Sequence, residues 1–276
     1  MRAIVEIKGG FGNQIFQYSF ANYLRKQGYK VKVNISSSNK NRFPLSCTSF
    51  GFNQAGKFSV WLYKILYSIS QKKFYFISIN LFINLFFRKE YNLESFSKNK
   101  KKFLNYFDGY WQDINLLKSQ KKYIMNCIEN QLGQFIKPKK INNGTTLVHV
   151  RRGDYINVNE ALDIKFYENA ISYCKENIKN FSYEVFTDDL DWVRKQEVFR
   201  DATNINGPKN NLVDLLKDIA RMLEFQNFVV GNSTFSLIPA LLSESETSSI
   251  IVADPWMKYS NSELKFDKTW IKVNNF

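Results

Sequence analysis

The chain has 276 residues, with 39 Lys and Arg against 25 Asp and Glu, a formal net charge of +14. A hydrophobic fraction of 44% with 16% aromatics is enough for real cores, excludes a disordered or fibrous chain, and at this length suits two small domains or one large one. The basic excess points to a polyanionic partner (nucleic acid, an acidic membrane surface or a phosphorylated small molecule), while three dispersed cysteines, Cys47, Cys127 and Cys174, and the single His149 argue against a disulfide framework, a cysteine zinc site and His-rich metal chemistry.

In chain order, Met1–Lys8 reads as a charged, strand-like start and not as a signal peptide. Ala3–Ile7 predicts a strand, Gly9–Gln14 a tight loop, Ile15–Lys26 a helix stopped at Gly28, and Val31–Ile35 a second strand. This is a βαβ unit whose turn lies on the strand edge where α/β folds place ligands. Ser36–Gly56 reads as an irregular loop. Val60–Phe87 is aromatic and helical or mixed. Its longest uncharged stretch, Phe74–Phe87, is broken by Ser78, Asn80 and Asn84 and is too short and polar to span a bilayer. The expectation is a cytoplasmic protein. Phe103–Trp111 predicts a strand, Asp113 the cap of a long helix to about Ile136, and Lys137–Gly144 a linker.

The second half alternates regularly. Strands are predicted at Thr146–Arg151, Tyr183–Thr187, Thr203–Asn206, Phe228–Gly231 and Ser249–Ala253. Helices are predicted at Lys165–Lys179, from Asp189, over Asn211–Glu224 and from Ser233. Such alternation implies a parallel, doubly wound sheet. Two such halves around the linker give an α/β fold of two Rossmann-like lobes facing a cleft, residues 1–140 and 141–276.

Four constellations carry chemistry, each just after a predicted strand. In Val148-His149-Val150-Arg151-Arg152-Gly153-Asp154-Tyr155 an apolar strand ends in two arginines, and the chain has only nine. Arginine forks bind phosphate oxygens through paired hydrogen bonds and stay charged. Asp154 can orient an arginine or act as a base; a plain Arg–Asp surface pair is the duller alternative. The glycine loop Gly9–Gln14 lacks the Lys-Ser or Lys-Thr of a P-loop. It reads as a tight turn or a ligand contact in which Asn13 and Gln14 hydrogen-bond a sugar hydroxyl. In Phe186-Thr187-Asp188-Asp189-Leu190-Asp191-Trp192 the acids either bind a metal, ribose or base edge, or Thr187 or Asp188 caps the next helix. Gly231-Asn232-Ser233-Thr234-Phe235-Ser236 opens a helix whose N-terminus is a cap or an anion site.

These four segments, with Phe107-Asp108-Gly109-Tyr110-Trp111-Gln112, occur in the order seen in the α-1,2-fucosyltransferases of glycosyltransferase family 11, which the chain resembles from about Ala3 to Pro255. The HxRRGDY element is the specific one. Where that family continues Asn-Ser-Thr-Phe-Ser with two tryptophans, this chain has Leu237-Ile238-Pro239, and Asp254-Pro255-Trp256 is only loosely family-like. The resemblance implies a GT-B-type fold with an acceptor-side first lobe and a donor-binding second lobe. It implies GDP-β-L-fucose as donor, galactose O2 of a glycan as acceptor, and inverting transfer with no metal or other cofactor. Arg151 and Arg152 are expected at the donor pyrophosphate and His149 near the nucleotide. Ser233, Thr234 and Phe235 are expected against the phosphates and guanosine, and Asn13 beside the fucose or incoming hydroxyl. Asp188 and Asp189 match the family's acidic motif. Arg151, Asn13 and Asp154 are thus the catalytic candidates.

Two further readings stay open from the sequence. One is transfer of another nucleotide-activated sugar. The other, from a different class, is nucleic-acid binding by a basic, aromatic surface, which the scattered lysines and the tight arginine turn disfavour. Val60–Phe87 is either core or a monotopic contact with an anionic membrane. The contact would suit a lipid-linked glycan acceptor and attachment at the inner membrane face.

Overall fold

The computed structural model describes residues 1–35, 43–71, 87–90, 96, 104–133, 144–259 and 264–274, in two compact units, Met1–Gln131 and Leu132–Phe276. Both are α/β with wholly parallel sheets, the class that the alternation of strands and helices predicts. Among the described residues no helix is long and apolar enough to cross a membrane.

In the first unit the elements are β1 (Arg2–Ile7), α1 (Phe11–Lys26), β2 (Lys30–Ile35), α2 (Lys57–Gln71), β3 (Phe87–Glu90), β4 (Leu104–Phe107), α3 (Ile114–Lys118) and α4 (Lys121–Leu132). The sheet order is β2-β1-β4-β3. The glycine loop is shorter than the sequence suggests. Only Gly9, at φ 81°, and Gly10 make the turn, and α1 already begins at Phe11. Gln14 therefore sits in the first turn, fully buried. Its amide donates to the carbonyls of Gly9 (3.0 Å) and Phe43 (3.1 Å), and its oxygen accepts from Leu45 N (2.8 Å). With both amide N–H bonds used and the side chain fully buried, Gln14 holds the loop together and is not presented to a sugar hydroxyl, which corrects that expectation.

The single helix predicted from Asp113 is two. Asp113 caps α3, its carboxylate accepting from Leu116 N at 2.6 Å. The chain then turns at Ser119 and Gln120, because Gln120 points inward. Its amide donates to the Ser19 carbonyl (2.8 Å) and its oxygen accepts from Asn22 on α1. The strand predicted over Phe103–Trp111 is confined to Leu104–Phe107. Trp111 adopts φ 54° and stacks on Phe20 with ring centres 3.9 Å apart. Phe103, the linker from Lys137 through residue 143, and residues 36–42 and 72–86 of the loop and aromatic stretch lie outside the described residues.

The second unit contains β5 (Thr145–Val150), α5 (Gly153–Asn157), α6 (Ile164–Asn177), β6 (Ser182–Thr187), α7 (Leu190–Lys195), β7 (Asn204–Asn206), α8 (Leu212–Met222), β8 (Asn227–Gly231), α9 (Thr234–Ser243), β9 (Ile250–Asp254) and β10 (Ile271–Asn274). The sheet runs β10-β9-β8-β5-β6-β7. The chain thus builds outward from β5 to one edge, returns to β8, and builds outward to the other. The reversal lies between β5 and β8, the switch point at whose C-terminal ends doubly wound sheets hold ligands. β5 is buried after its first residue, as a central parallel strand covered on both faces must be.

Gly231 ends β8 at φ 64°, beside a register shift against β9. A Cβ there would lie 3.3 Å from both the His149 carbonyl and Leu162 Cδ1. Gly231→Ala is expected to lower stability by about 1–2 kcal/mol, the cost of a left-handed L-residue. Gly56→Ala, whose added carbon meets nothing within 4 Å, is the control. Equal urea midpoints for the two variants would refute the constraint.

Candidate active site

The C-terminal edge of the second sheet gathers the arginine turn, the acidic motif and the start of α9. Asp188, just beyond β6, is the hub. Its Oδ1 accepts from the backbone N–H groups of Arg152 (2.8 Å) and Gly153 (3.3 Å), and its Oδ2 lies 2.7 Å from Arg151 Nη1. A Cβ on Gly153 would come within 2.6 Å of that same Oδ2, so glycine is what lets the turn close on the carboxylate. Arg151 Nη2 is held by Asp154 Oδ1 at 2.6 Å, and the Asp154 side chain is 70% exposed. Arg152 Nε meets Asp189 Oδ2 at 3.2 Å, and its guanidinium carbon stands 3.9 Å from the Trp192 ring centre, a cation–π contact.

The helix after β6 is capped by Asp189, not by Thr187 or Asp188. Asp189 Oδ1 accepts from Trp192 N at 3.1 Å, while Thr187 Oγ1 accepts from Asp189 N at 3.0 Å. Asp188 is drawn away from the cap by the three donors of the arginine turn. Both acids therefore hold arginines and backbone.

At β8 the Ser233 hydroxyl caps α9 by accepting from Phe235 N at 3.3 Å. Thr234 and Phe235 begin that helix. The N-terminal end of that helix lies at the switch point, where its dipole favours an anion. Phe235 also lies against His149, ring centres 5.5 Å apart. His149 is buried and its Nδ1 has no hydrogen-bond partner. Burial, then the nearby Arg151, pushes its pKa down to about 3, so it is a neutral ring at ordinary pH.

One residue in this edge escaped the sequence reading. Glu160 is buried, and its carboxylate accepts from the backbone N–H groups of Lys258 (2.6 Å) and Tyr259 (3.1 Å). Its carbonyl accepts from Asn232 Nδ2 at 2.7 Å. It thereby ties the segment after β9 to the loop that opens α9. The only hint in the sequence is that it is the sole charge between Ile156 and Leu162.

Asn13 belongs to the first unit and stands in a separate cluster at the edge of that sheet, where β1 and β4 are neighbours. Its Oδ1 accepts from Gln112 Nε2 at 2.8 Å. Lys8 pairs with Asp108 at 2.6 Å and lies 5.4 Å from the centre of the exposed Tyr110 ring. Burial acts against the Lys8 charge, but Asp108 outweighs it and the net shift is upward. Tyr110 and Gln112 were legible as part of the Gly-Tyr-aromatic-Gln element; Lys8 was not.

A buried neutral histidine has a signature in stability. The unfolded chain takes up its proton near the ordinary 6.5 and the folded chain only near 3, so the folded state is disfavoured as pH falls through that window. The stability of the parent minus that of His149→Gln is expected to rise from pH 3 to 6.5 and then level off in urea titrations. Parallel curves would refute a neutral, buried ring.

The sequence model of Glycosyl transferase family 11 matches residues 3–274. Two Escherichia coli proteins align with the chain along almost their whole length. An Alpha-1,2-colitosyltransferase is 26% identical over 302 residues, covering 98% of each chain. The O-antigen biosynthesis glycosyltransferase WbnK is 26% identical over 310 residues, covering 97% of this chain and 99% of that one. Among solved structures, NodZ alpha-1,6-fucosyltransferase soaked with GDP-fucose gives a TM-score of 0.46 at 12% identity, over 87% of this chain and 92% of that one. Se-Met NodZ from Bradyrhizobium gives 0.44 at 12% identity, over 87% and 91%. The match from residue 3 to residue 274 places this chain in glycosyltransferase family 11.

Proposed function

We propose that this family 11 glycosyltransferase moves L-fucose from GDP-β-L-fucose to a glycan hydroxyl, galactose O2, on an oligosaccharide or lipid-linked acceptor, with inversion and without a metal. The observation that carries this reading is the pair Arg151 and Arg152 at the C-terminal end of β5, next to the strand that leads into α9. A diphosphate there meets guanidinium groups and a helix N-terminus together. A nucleic-acid groove asks for cations interleaved with aromatics along a patch; here both arginines sit in one tight turn, each on a carboxylate.

Inverting transfer breaks the bond from the anomeric carbon to the β-phosphate oxygen as the acceptor oxygen attacks the opposite face. Negative charge grows on the departing GDP, and the acceptor proton passes to a base. In this reading Arg151 carries the developing phosphate charge, because it stays ionised and presents two N–H edges. Asp154 is its exchangeable partner. An exposed ion pair contributes little, so phosphate oxygens can take its place on Nη2 while Asp188 holds Nη1. Asp188 and Asp189 serve as framework: their oxygens already take backbone and arginine donors. His149 and Phe235 line the nucleotide side, and Asn13, in the first unit, is the candidate for contact with the acceptor hydroxyl.

A second reading has one specific support, the name of the colitosyltransferase relative: the donor is a nucleotide-activated colitose. Thermal shift with GDP-fucose, UDP, CDP and dTDP sugars and that donor separates the two. Stabilisation by GDP-fucose above the others is expected, and stabilisation by none would end the donor assignment. Arg151→Ala is expected to lower turnover at least ~10²-fold, read as sugar transfer in EDTA. Near-normal turnover in that variant would remove Arg151 from the chemistry. Strict dependence on Mn²⁺ would make Asp188 and Asp189 ligands instead. Asp154→Asn is expected to change donor KM more than kcat; a collapse of kcat alone would make Asp154 the base.

A further inference from the structure

Helix α2 is apolar on two opposite faces. Val60 and Tyr63 pack inward with Ile4, Ala55 and Tyr106 of the first unit's core. Phe58, Trp61, Leu62 and Ile65 follow the i, i+3, i+4, i+7 spacing of a second stripe, which at 100° per residue falls on the other side. Phe58 is 70% exposed, Trp61 55% and Leu62 37%, and the two rings lie 5.7 Å apart. A second apolar face on a helix is normally enclosed by protein or set against lipid, yet Phe58, Trp61 and Leu62 are exposed, with Ile65 half-buried beside them.

Charge identifies what covers it. Helix α2 carries Lys57 and Lys64 and not one Asp or Glu. Such a helix disfavours other basic surfaces, including a second copy of a chain of net charge +14. An anionic bilayer satisfies both features at once, since Trp and Phe settle at headgroup depth and cations meet lipid phosphates. We propose that the Phe58–Trp61–Leu62 face of α2 docks the protein onto an anionic lipid bilayer, lying in the headgroup plane. This goes beyond the transfer reading, and it is measured without turnover, so either can fail alone.

The test is flotation of the full chain with phosphatidylcholine vesicles, with and without phosphatidylglycerol. Binding is expected only with phosphatidylglycerol, to weaken as salt rises, and to fall at least ~10-fold in Phe58→Ser/Trp61→Ser. Both side chains are largely exposed, so the variant should keep the parental melting temperature. A measurement that does not depend on that variant is quenching of the parent's tryptophan fluorescence by brominated phosphatidylglycerol, expected to diminish in the conservative Trp61→Phe. Flotation that ignores lipid charge, equal binding by the double variant, or quenching unchanged in Trp61→Phe would overturn the proposal. So would a dimer in sedimentation that the double variant abolishes, which would give this face to a second copy of the chain.

Discussion

The carboxylate of Asp188 binds two backbone N–H groups of the turn after β5 and one edge of Arg151. Hydrogen bonds to a charged group contribute about 1.5–3 kcal/mol each, and the cost of leaving such a group unpaired is larger. The turn cannot relax without stranding Asp188, and Asp188 cannot move without releasing Arg151. Adjacent strands β5 and β6 fix the distance between the two loops. The glycine at position 153 removes the one carbon that would hold them apart. The aim of Arg151 is therefore set by the sheet and not by its own flexible side chain.

A similar logic, with uncharged groups, shapes the first unit. Gln14, Gln17, Asn22 and Gln120 are all buried. Gln14 joins Gly9, Phe43 and Leu45, Gln17 accepts from Lys8 N at 2.7 Å, and Gln120 ties the α3–α4 turn to α1. Amides can do this because each carries both a donor and an acceptor and can join loops whose backbone groups have no ladder partner. Helix α1 is consequently buried nearly all round, although its sequence reads as half polar.

The parts of this architecture that announce themselves in sequence are those with a local cause. Short runs rich in β-branched and aromatic residues gave β5, β6, β8 and β9. Asn211 and Ser233 cap the helices that were expected to begin at them, while Asp163 caps a helix that starts one residue before the expected Lys165. The site motifs were legible because Arg-Arg-Gly-Asp and Asp-Asp are dense and lie at strand ends. What stayed hidden depends on distant partners. The break after Lys118 needs Asn22 and Ser19, about a hundred positions away in sequence. The choice of Asp189 over Asp188 as cap needs the arginine turn. Strand β10, Ile-Lys-Val-Asn, is too short and polar to be a strand until β9 supplies its ladder. Glu160 is meaningful only because Lys258 and Tyr259 return to it.

The local charge count refines what the +14 balance means for the arginine turn. Two guanidinium groups, Arg151 and Arg152, face three carboxylates, Asp154, Asp188 and Asp189, so 2 − 3 leaves the cluster at −1. A bound diphosphate would deepen that deficit unless a carboxylate gave way. Asp188 is held by three donors and Asp189 by the cap of α7, whereas Asp154 is exposed and joined to Arg151 by one contact. Exchange at Asp154 is thus the least costly way to admit an anion. On the proposed transfer, the graded strength of these three contacts, more than the chain's overall charge, would favour a compact anion able to replace a single carboxylate.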